Sequence, residues 1–294
     1  MERPLRGIAM LVAATVLFSL SDATAKYLTG TLPAIEIAWV RYVVFTLLAA
    51  GVAVRSGRHG MRTRRPVWQV LRGLGVVGSA VLFIASLASL PIAEATTVNF
   101  VSPLLITILS VPVLGERIRV GGWIAVLAGF VGVLIVARPG TERFHPAVLL
   151  VLLSSLCWSM AMLITRRMAR SERASATLLW TAGTGLVLLT VLLPFIFRVP
   201  TLSAVGLALI IGLISSGGQW LTLLAYRRAP ASVLAPLSYG QLIWSSTLGY
   251  FVFGAAPSRW TLMGAVIIAC SGFYTVHEAR MQQQRREAPG NAAR

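Results

Sequence analysis

The segment Ala88-Ser-Leu-Pro-Ile-Ala-Glu-Ala-Thr-Thr-Val-Asn-Phe-Val-Ser-Pro-Leu-Leu105, running on to Gly115-Glu116, is too apolar for a soluble loop. It nevertheless holds Glu94, Asn99, Pro91 and Pro103 at a depth where polar and helix-breaking residues need a reason. Its layout recurs 139 positions later without a gap: Pro91 falls on Pro230, Phe100 on Tyr239 and Gly115 on Gly254. A proline-interrupted apolar segment used twice, once in each half of a chain, points to the central site of a membrane transporter.

Working outward, the 294 residues are 56% hydrophobic and 12% charged, more apolar surface than one soluble core of that size buries. Runs of about 20 apolar residues, enough to cross ~30 Å of hydrocarbon as helices, fall at 8–28, 34–54, 67–88, 91–113, 118–137, 146–165, 175–197, 203–226, 230–253 and 258–277. The expected fold is an all-α polytopic membrane protein with ten transmembrane helices. Arg138-Pro139-Gly140 divides it into halves 1–140 and 141–280, followed by a polar tail, 281–294. Five spans per half is an odd number, so the second half must enter the membrane upside down, giving two inverted five-helix repeats.

The net charge of +17 does not indicate nucleic acid, because the basic residues are scattered through short connections. With both termini cytoplasmic, 19 Lys and Arg lie in inside segments and 5 in outside segments, a strong positive-inside bias. Arg3 and Arg6 before an apolar run, with Ala23-Thr24-Ala25 after it, imitate a cleavable signal. Nine more spans and a counterpart in the second half predict that this segment is retained. Cys157 and Cys270 sit inside apolar runs and read as small hydrophobes, with no metal site or disulfide framework.

Candidate site residues follow from polar groups at helical spacing. Thr15, Ser19, Asp22 and Lys26 form one stripe on span one, where Asp22 and Lys26 are either an intrahelical ion pair or ligand and proton groups. Arg41, two turns into span two, needs an anion, and Glu36, Asp22 or a substrate carboxylate are available. In span four, Thr96, Asn99 or Phe100, Pro103, Thr107 and Ser110 share a face, with Pro103 removing a donor in mid-helix. Glu94 is either stabilised by the helix N-terminus or a titratable group at the cavity mouth. Gly73, Gly75, Gly78 and Ser79 in span three read as close packing. Span eight offers Ser215, Gln219, Thr222 and Tyr226, and span nine offers Ser232, Pro236, Tyr239, Gln241 and Trp244. At an offset of 140, Phe18 falls on Trp158 and Lys26 on Arg166, while Asp22 falls on Met162, so the acidic groups belong mainly to the first half. The candidate residues are Asp22, Arg41, Asn99, Phe100, Trp158, Gln219, Tyr239 and Trp244 for substrate, with Asp22 and Glu94 for coupling.

The Ser21-Asp22-Ala23-Thr24-Ala25-Lys26-Tyr27-Leu28 run carries a recognisable pattern, as do Trp39-Val40-Arg41-Tyr42 and Ser102-Pro103 to Leu114-Gly115-Glu116-Arg117. So do Gly129-Phe130-Val131-Gly132 to Arg138-Pro139-Gly140, and Ala225-Tyr226-Arg227 to Ala229-Pro230-Ala231-Ser232. Together they resemble the drug/metabolite transporter superfamily, EamA type, over nearly the whole chain. The resemblance implies a central cavity lined by spans one, three, four, six, eight and nine, with five and ten packed behind. Members move amino acids, riboflavin, S-adenosylmethionine-like cofactors, opine-type metal chelators, sugars and drugs. The first span looks closer to the S-adenosylmethionine and riboflavin importers and opine-metallophore exporters than to aromatic amino-acid exporters. Gly254-Ala255 stands where the first half has Gly115-Glu116, a departure at the second hinge.

The expected function is gradient-driven transport of a small zwitterionic or amphiphilic metabolite across a bacterial inner membrane, with export favoured narrowly. The alternative is import of a vitamin or cofactor such as riboflavin or S-adenosylmethionine. A nucleotide-binding Gly-x-x-x-x-Gly-Lys-Ser/Thr loop is absent from the sequence, and His59, His145 and His277 lie in loops or at span ends. No enzyme activity, cofactor or metal is therefore expected. The expected partners are a small-molecule substrate and the lipid bilayer, with no nucleic acid, and a homodimer is compatible with the class.

Overall fold

The computed structural model describes residues 2–55, 63–115, 118, 120–142, 144–168, 172–228, 234 and 237–291. Arg58, Arg62, Glu116, Arg117, Pro230, Ser232 and Pro236 from the sequence argument, and the Tyr226 side chain, lie outside the described set. Every element is helical among the described residues: α1 (Glu2–Leu28), α2 (Ala34–Arg55), α3 (Pro66–Leu87), α4 (Ile92–Asn99), α5 (Ser102–Leu114), α6 (Val120–Ala137), α7 (Ala147–Met168), α8 (Ala174–Leu192), α9 (Leu202–Arg228), α10 (Gly240–Phe253) and α11 (Arg259–Asn291). Eight stretches in these helices, α4 and α5 counting together, are long and apolar enough to cross a membrane. Where spans nine and ten were expected, the described residues hold the shorter α10 and the polar-tailed α11. Large apolar side chains face outward, among them Leu127, Leu134, Val187 and Phe251, as a lipid-facing surface requires.

Pro103, expected to remove a donor in mid-helix, does not stand in mid-helix. The helix stops one turn earlier: Phe100 ends α4, Val101 N–H bonds to the Val98 carbonyl at 3.0 Å, and α5 restarts at Ser102. Pro103 then lies in the first turn of α5, where a missing N–H costs nothing because that position has no intrahelical acceptor. The Asn99 carbonyl, left open by the missing Pro103 N–H, accepts from Ser102 Oγ at 2.7 Å. Hydroxyls of α7 pack against the break, with Ser155 Oγ 3.3 Å from the Asn99 carbonyl and Ser159 Oγ 3.1 Å from the Ser102 carbonyl. The recurrence seen in the sequence has a geometric counterpart. Gly115 and Gly254 end α5 and α10 in the left-handed region, at φ 68° and 64°, where a side chain would be strained.

Packing runs across the halves. α1 lies along α9, α3 along α7, α2 along α8 and α9, and α6 along α11. Small residues allow this closeness: a Cβ at Gly75 would stand 2.9 Å from the Cys157 carbonyl, and one at Gly264 would stand 2.7 Å from the Gly132 carbonyl. At one end of the bundle the two basic connections meet, with Arg64 N–H donating to Glu172 at 2.9 Å and Arg167 over the Trp68 ring at 4.9 Å. At the other end Lys26 Nζ donates to the carbonyls of Leu87 and Leu90 at 2.8 and 2.7 Å, and Glu36 accepts the Arg198 N–H at 3.2 Å.

Candidate substrate cavity

Between the helices lies a cavity of about 670 Å³ to which α1 through α5 and α7 through α10 contribute. It continues through Phe45, Arg72, Met162, Thr165, Leu178, Ser216, Gln219 and Thr222 into a second space of about 800 Å³ that reaches Met168 and Glu172. The helical repeat explains which residues face in. Phe18 and Asp22 lie one turn apart on α1, Arg41 and Phe45 on α2, Ser154, Trp158 and Met162 on α7, and Ser215, Gln219 and Thr222 on α9. Among the described residues none of α6 or α11 lines either space. Helices α2 and α8 line the deep cavity as well, through Arg41, Tyr42, Leu178 and Thr181, which the resemblance did not imply.

Three charged side chains line the deep cavity: Asp22, Arg41 and Arg72. Asp22 does not pair with Lys26. Its Oδ2 accepts from Gln241 Nε2 at 3.3 Å and its electrostatic partner is Arg41. Lys26 turns away because the carbonyl of Leu87, the last residue of α3, lacks an intrahelical donor and, with the Leu90 carbonyl in the turn before α4, offers it two acceptors, with the Phe253 ring 5.7 Å off. Of the partners considered for Arg41, Glu36 is engaged with Arg198, and Asp22 faces it across the cavity.

Sequence reasoning missed Arg72. It is buried on α3, its Nε donates to Thr165 Oγ1 at 2.6 Å, and its Nη1 donates to Thr181 Oγ1. The signal was present. Of 26 Lys and Arg, 24 were assigned to inside or outside connections, and the two left within spans are Arg41 and Arg72. The same insertion cost of ~2.5–3.5 kcal/mol that singled out Arg41 applied to Arg72.

Asn99 and Phe100 line the cavity at the α4–α5 break, with Asn99 Oδ1 accepting from Ser155 Oγ at 3.0 Å. Trp158 and Phe18, equivalent positions in the two halves, both line it, as does Gln219. The hydroxyls of Thr96 and Ser216 are buried without a partner among the described residues, leaving two polar contacts open to a solute.

Three expected site residues stand elsewhere. Tyr239 stacks behind Phe100 at 4.8 Å and on Phe273 at 5.2 Å, so the second-half counterpart of Phe100 backs the cavity wall without reaching the cavity. Trp244 is half-buried and lines neither space. Glu94 lies in the first turn of α4, near Arg138 and His145 at the link between the halves, away from both spaces. Because the Tyr239 hydroxyl is buried without a partner among the described residues, Tyr239→Phe is expected to keep transport and raise stability by about 1 kcal/mol. A lowered thermal unfolding midpoint would show that the hydroxyl is bonded.

Oppositely charged groups, a flanking amide and several aromatic faces in a hollow at mid-span can hold a small organic ion and screen it from lipid. Among the described residues no three His, Cys, Asp or Glu are grouped to hold a metal ion. A helix bundle with such a hollow defines a multi-pass membrane protein that handles a small solute.

Comparison with known proteins narrows the class. The model of the EamA-like transporter family matches twice, over residues 5–138 and 145–276, and the chain belongs to that family, within the drug/metabolite transporter superfamily. It is 30% identical over 279 residues to the S-adenosylmethionine uptake transporter of Rickettsia prowazekii (strain Madrid E), covering 94% of each chain. It is 31% identical over 299 residues to the riboflavin transporter of Rhizobium johnstonii (strain DSM 114642 / LMG 32736 / 3841), covering 98% of this chain and 96% of that one. It is also 26% identical over 266 residues to the pseudopaline exporter CntI of Pseudomonas aeruginosa (strain UCBPP-PA14), covering 89% and 93%.

Proposed function

We propose that this chain is a gradient-driven carrier of the bacterial inner membrane that moves a small metabolite combining a flat ring with a charged, polar chain. The observation that carries this is the cavity itself: Asp22, Arg41 and Gln241 form a charged, hydrogen-bonding pole beside the aromatic faces of Phe18, Phe100 and Trp158. Cofactor-like solutes have both parts. In this reading Arg41 meets a carboxylate and Asp22 an amine or a proton, and ten spans in two inverted repeats alternate the cavity between the two faces of the membrane. The meeting of the 63–65 and 172 connections at one end supports that topology, because oppositely oriented five-span halves bring those links to one side. With both termini inside, the wide space reaching Glu172 opens toward the cytoplasm, and the end held by Lys26 is the closed outer one.

Uptake of a nucleoside- or flavin-like cofactor is the reading that the S-adenosylmethionine and riboflavin relatives favour. The similarity to a pseudopaline exporter favours a second, export of an opine-like amino acid conjugate. Counterflow in proteoliposomes preloaded with unlabelled S-adenosylmethionine or riboflavin is expected to concentrate the labelled compound transiently. Failure with both, and with an opine-type conjugate, would remove the carrier reading. Cells that carry the gene should accumulate external S-adenosylmethionine if uptake is right, and deplete internal conjugate if export is.

A further inference from the structure

We infer that Arg72 is a second anion-binding residue of the cavity, so that the solute carries a carboxylate or phosphate as well as whatever Asp22 binds. The inference rests on the carrier reading for the site, but on separate geometry. A guanidinium has five N–H donors in a fixed fork. In Arg72 two are occupied, Nε by Thr165 and Nη1 by Thr181. Each threonine gives its own proton to a backbone carbonyl, Thr165 to Ala161 at 2.7 Å and Thr181 to Thr177 at 2.6 Å, so its oxygen is fixed as an acceptor toward Arg72. The fork is thereby held in one orientation by α7 and α8, while Nη2 has no acceptor among the described residues and the side chain lines both the deep and the wide space.

Two neutral hydroxyls satisfy hydrogen bonds but leave the charge uncompensated, and a neutral donor such as glutamine could serve a merely structural bridge. Among the described residues no carboxylate is bonded to Arg72: Asp22 accepts from Gln241 and has Arg41 as its charge partner, and Glu172, which lines the wide space with Arg72, accepts from the Arg64 N–H and from Gln69 Nε2. The charged lining of the deep cavity therefore sums to one excess positive charge among the described residues, contributed by Arg41 and Arg72 against Asp22. Arg41 and Arg72 both line the deep cavity, so one solute can meet both. A planar, bidentate-capable cation held ready in this way suits a carboxylate or phosphate better than a neutral ring.

The test uses matched probes. Full-length purified protein is titrated with S-adenosylmethionine and its decarboxylated analogue, with riboflavin and riboflavin phosphate, and with a panel of amino acids and their amides, and binding is read by thermal stabilisation. The acid or phosphate member of at least one pair should bind about tenfold more tightly than its neutralised partner, and Arg72→Gln should erase that preference while leaving affinity for the neutralised member unchanged. Arg72→Lys, which keeps the charge and loses the fork, should retain part of it. If Arg72→Gln does not fold, the lysine variant carries the test, and a preference unchanged in it overturns the inference. No preference in any pair, or no binding by any anion, overturns the inference. Acid-selective binding without counterflow would sink the carrier reading and leave Arg72 as an anion site. Counterflow of a neutral solute unaffected by Arg72→Gln would do the reverse.

Discussion

Asp22→Asn is expected to lower counterflow by about a hundredfold while leaving the yield of folded protein within about twofold, because truncating one member of a desolvated charge pair costs ~2–5 kcal/mol in ligand binding. The substitution keeps the shape and an oxygen to accept from Gln241, so the bond at 3.3 Å can persist. What it removes is the only carboxylate among the described residues lining the deep cavity, leaving Arg41 and Arg72 without an opposing charge. A group that only balances Arg41 would show its loss as reduced thermal stability with transport per folded molecule intact. A group that binds an amine or carries a proton would show it in the rate and in its response to an imposed pH gradient. An unchanged rate and an unchanged pH response would return Asp22 to a structural role.

Gly264→Leu should produce the largest loss of folded protein. A Cβ there would sit 2.7 Å from the carbonyl oxygen of Gly132, a backbone atom that cannot swing aside, so α6 and α11 must separate along their length. Overpacking of this kind costs about 3 kcal/mol, a large fraction of the margin by which a protein stays folded. The same change at Gly51, where a Cβ would meet nothing within 4 Å, is the control and should leave folding intact. Fluorescence-detected size exclusion after membrane extraction compares the two. Equal monodisperse yields would mean that α6 and α11 are not held by this contact. Since neither helix lines the cavity, any Gly264→Leu protein that does fold should bind solute normally.

The helices were legible in the sequence because burial in lipid demands long apolar runs; Asp22, Arg41, Asn99 and Gln219 were legible as cavity-lining because polar groups within an apolar span need a polar face, and Phe100 and Trp158 because the repeat matches them to Tyr239 and Phe18. What escaped depends on partners from other helices. Lys26 is four residues from Asp22, which suggests a pair, yet the carbonyls of Leu87 at the end of α3 and Leu90 in the turn that follows are its acceptors. Tyr239 matches Phe100 in sequence, but the ring is drawn against Phe273 on α11, a contact that spacing along one segment cannot show. Pro103 reads as a mid-helix residue because the apolar run is continuous around it, whereas here the chain breaks earlier and Ser102 Oγ takes the open Asn99 carbonyl. Arg72 sits beside Gly73 and Gly75, whose spacing signals only close packing, and its threonine partners lie on α7 and α8, more than 90 residues away.

The interlocked pairing of α1 with α9, α3 with α7 and α6 with α11 bears on how such a chain can be divided. A cut in the turn after Arg138 separates the two matched segments in sequence but severs no plane in space. Either piece alone would leave every one of those seams open to lipid, so each should be degraded when made singly. Co-expressed, they should reassemble like the fingers of two clasped hands, and the solute would still be held by both.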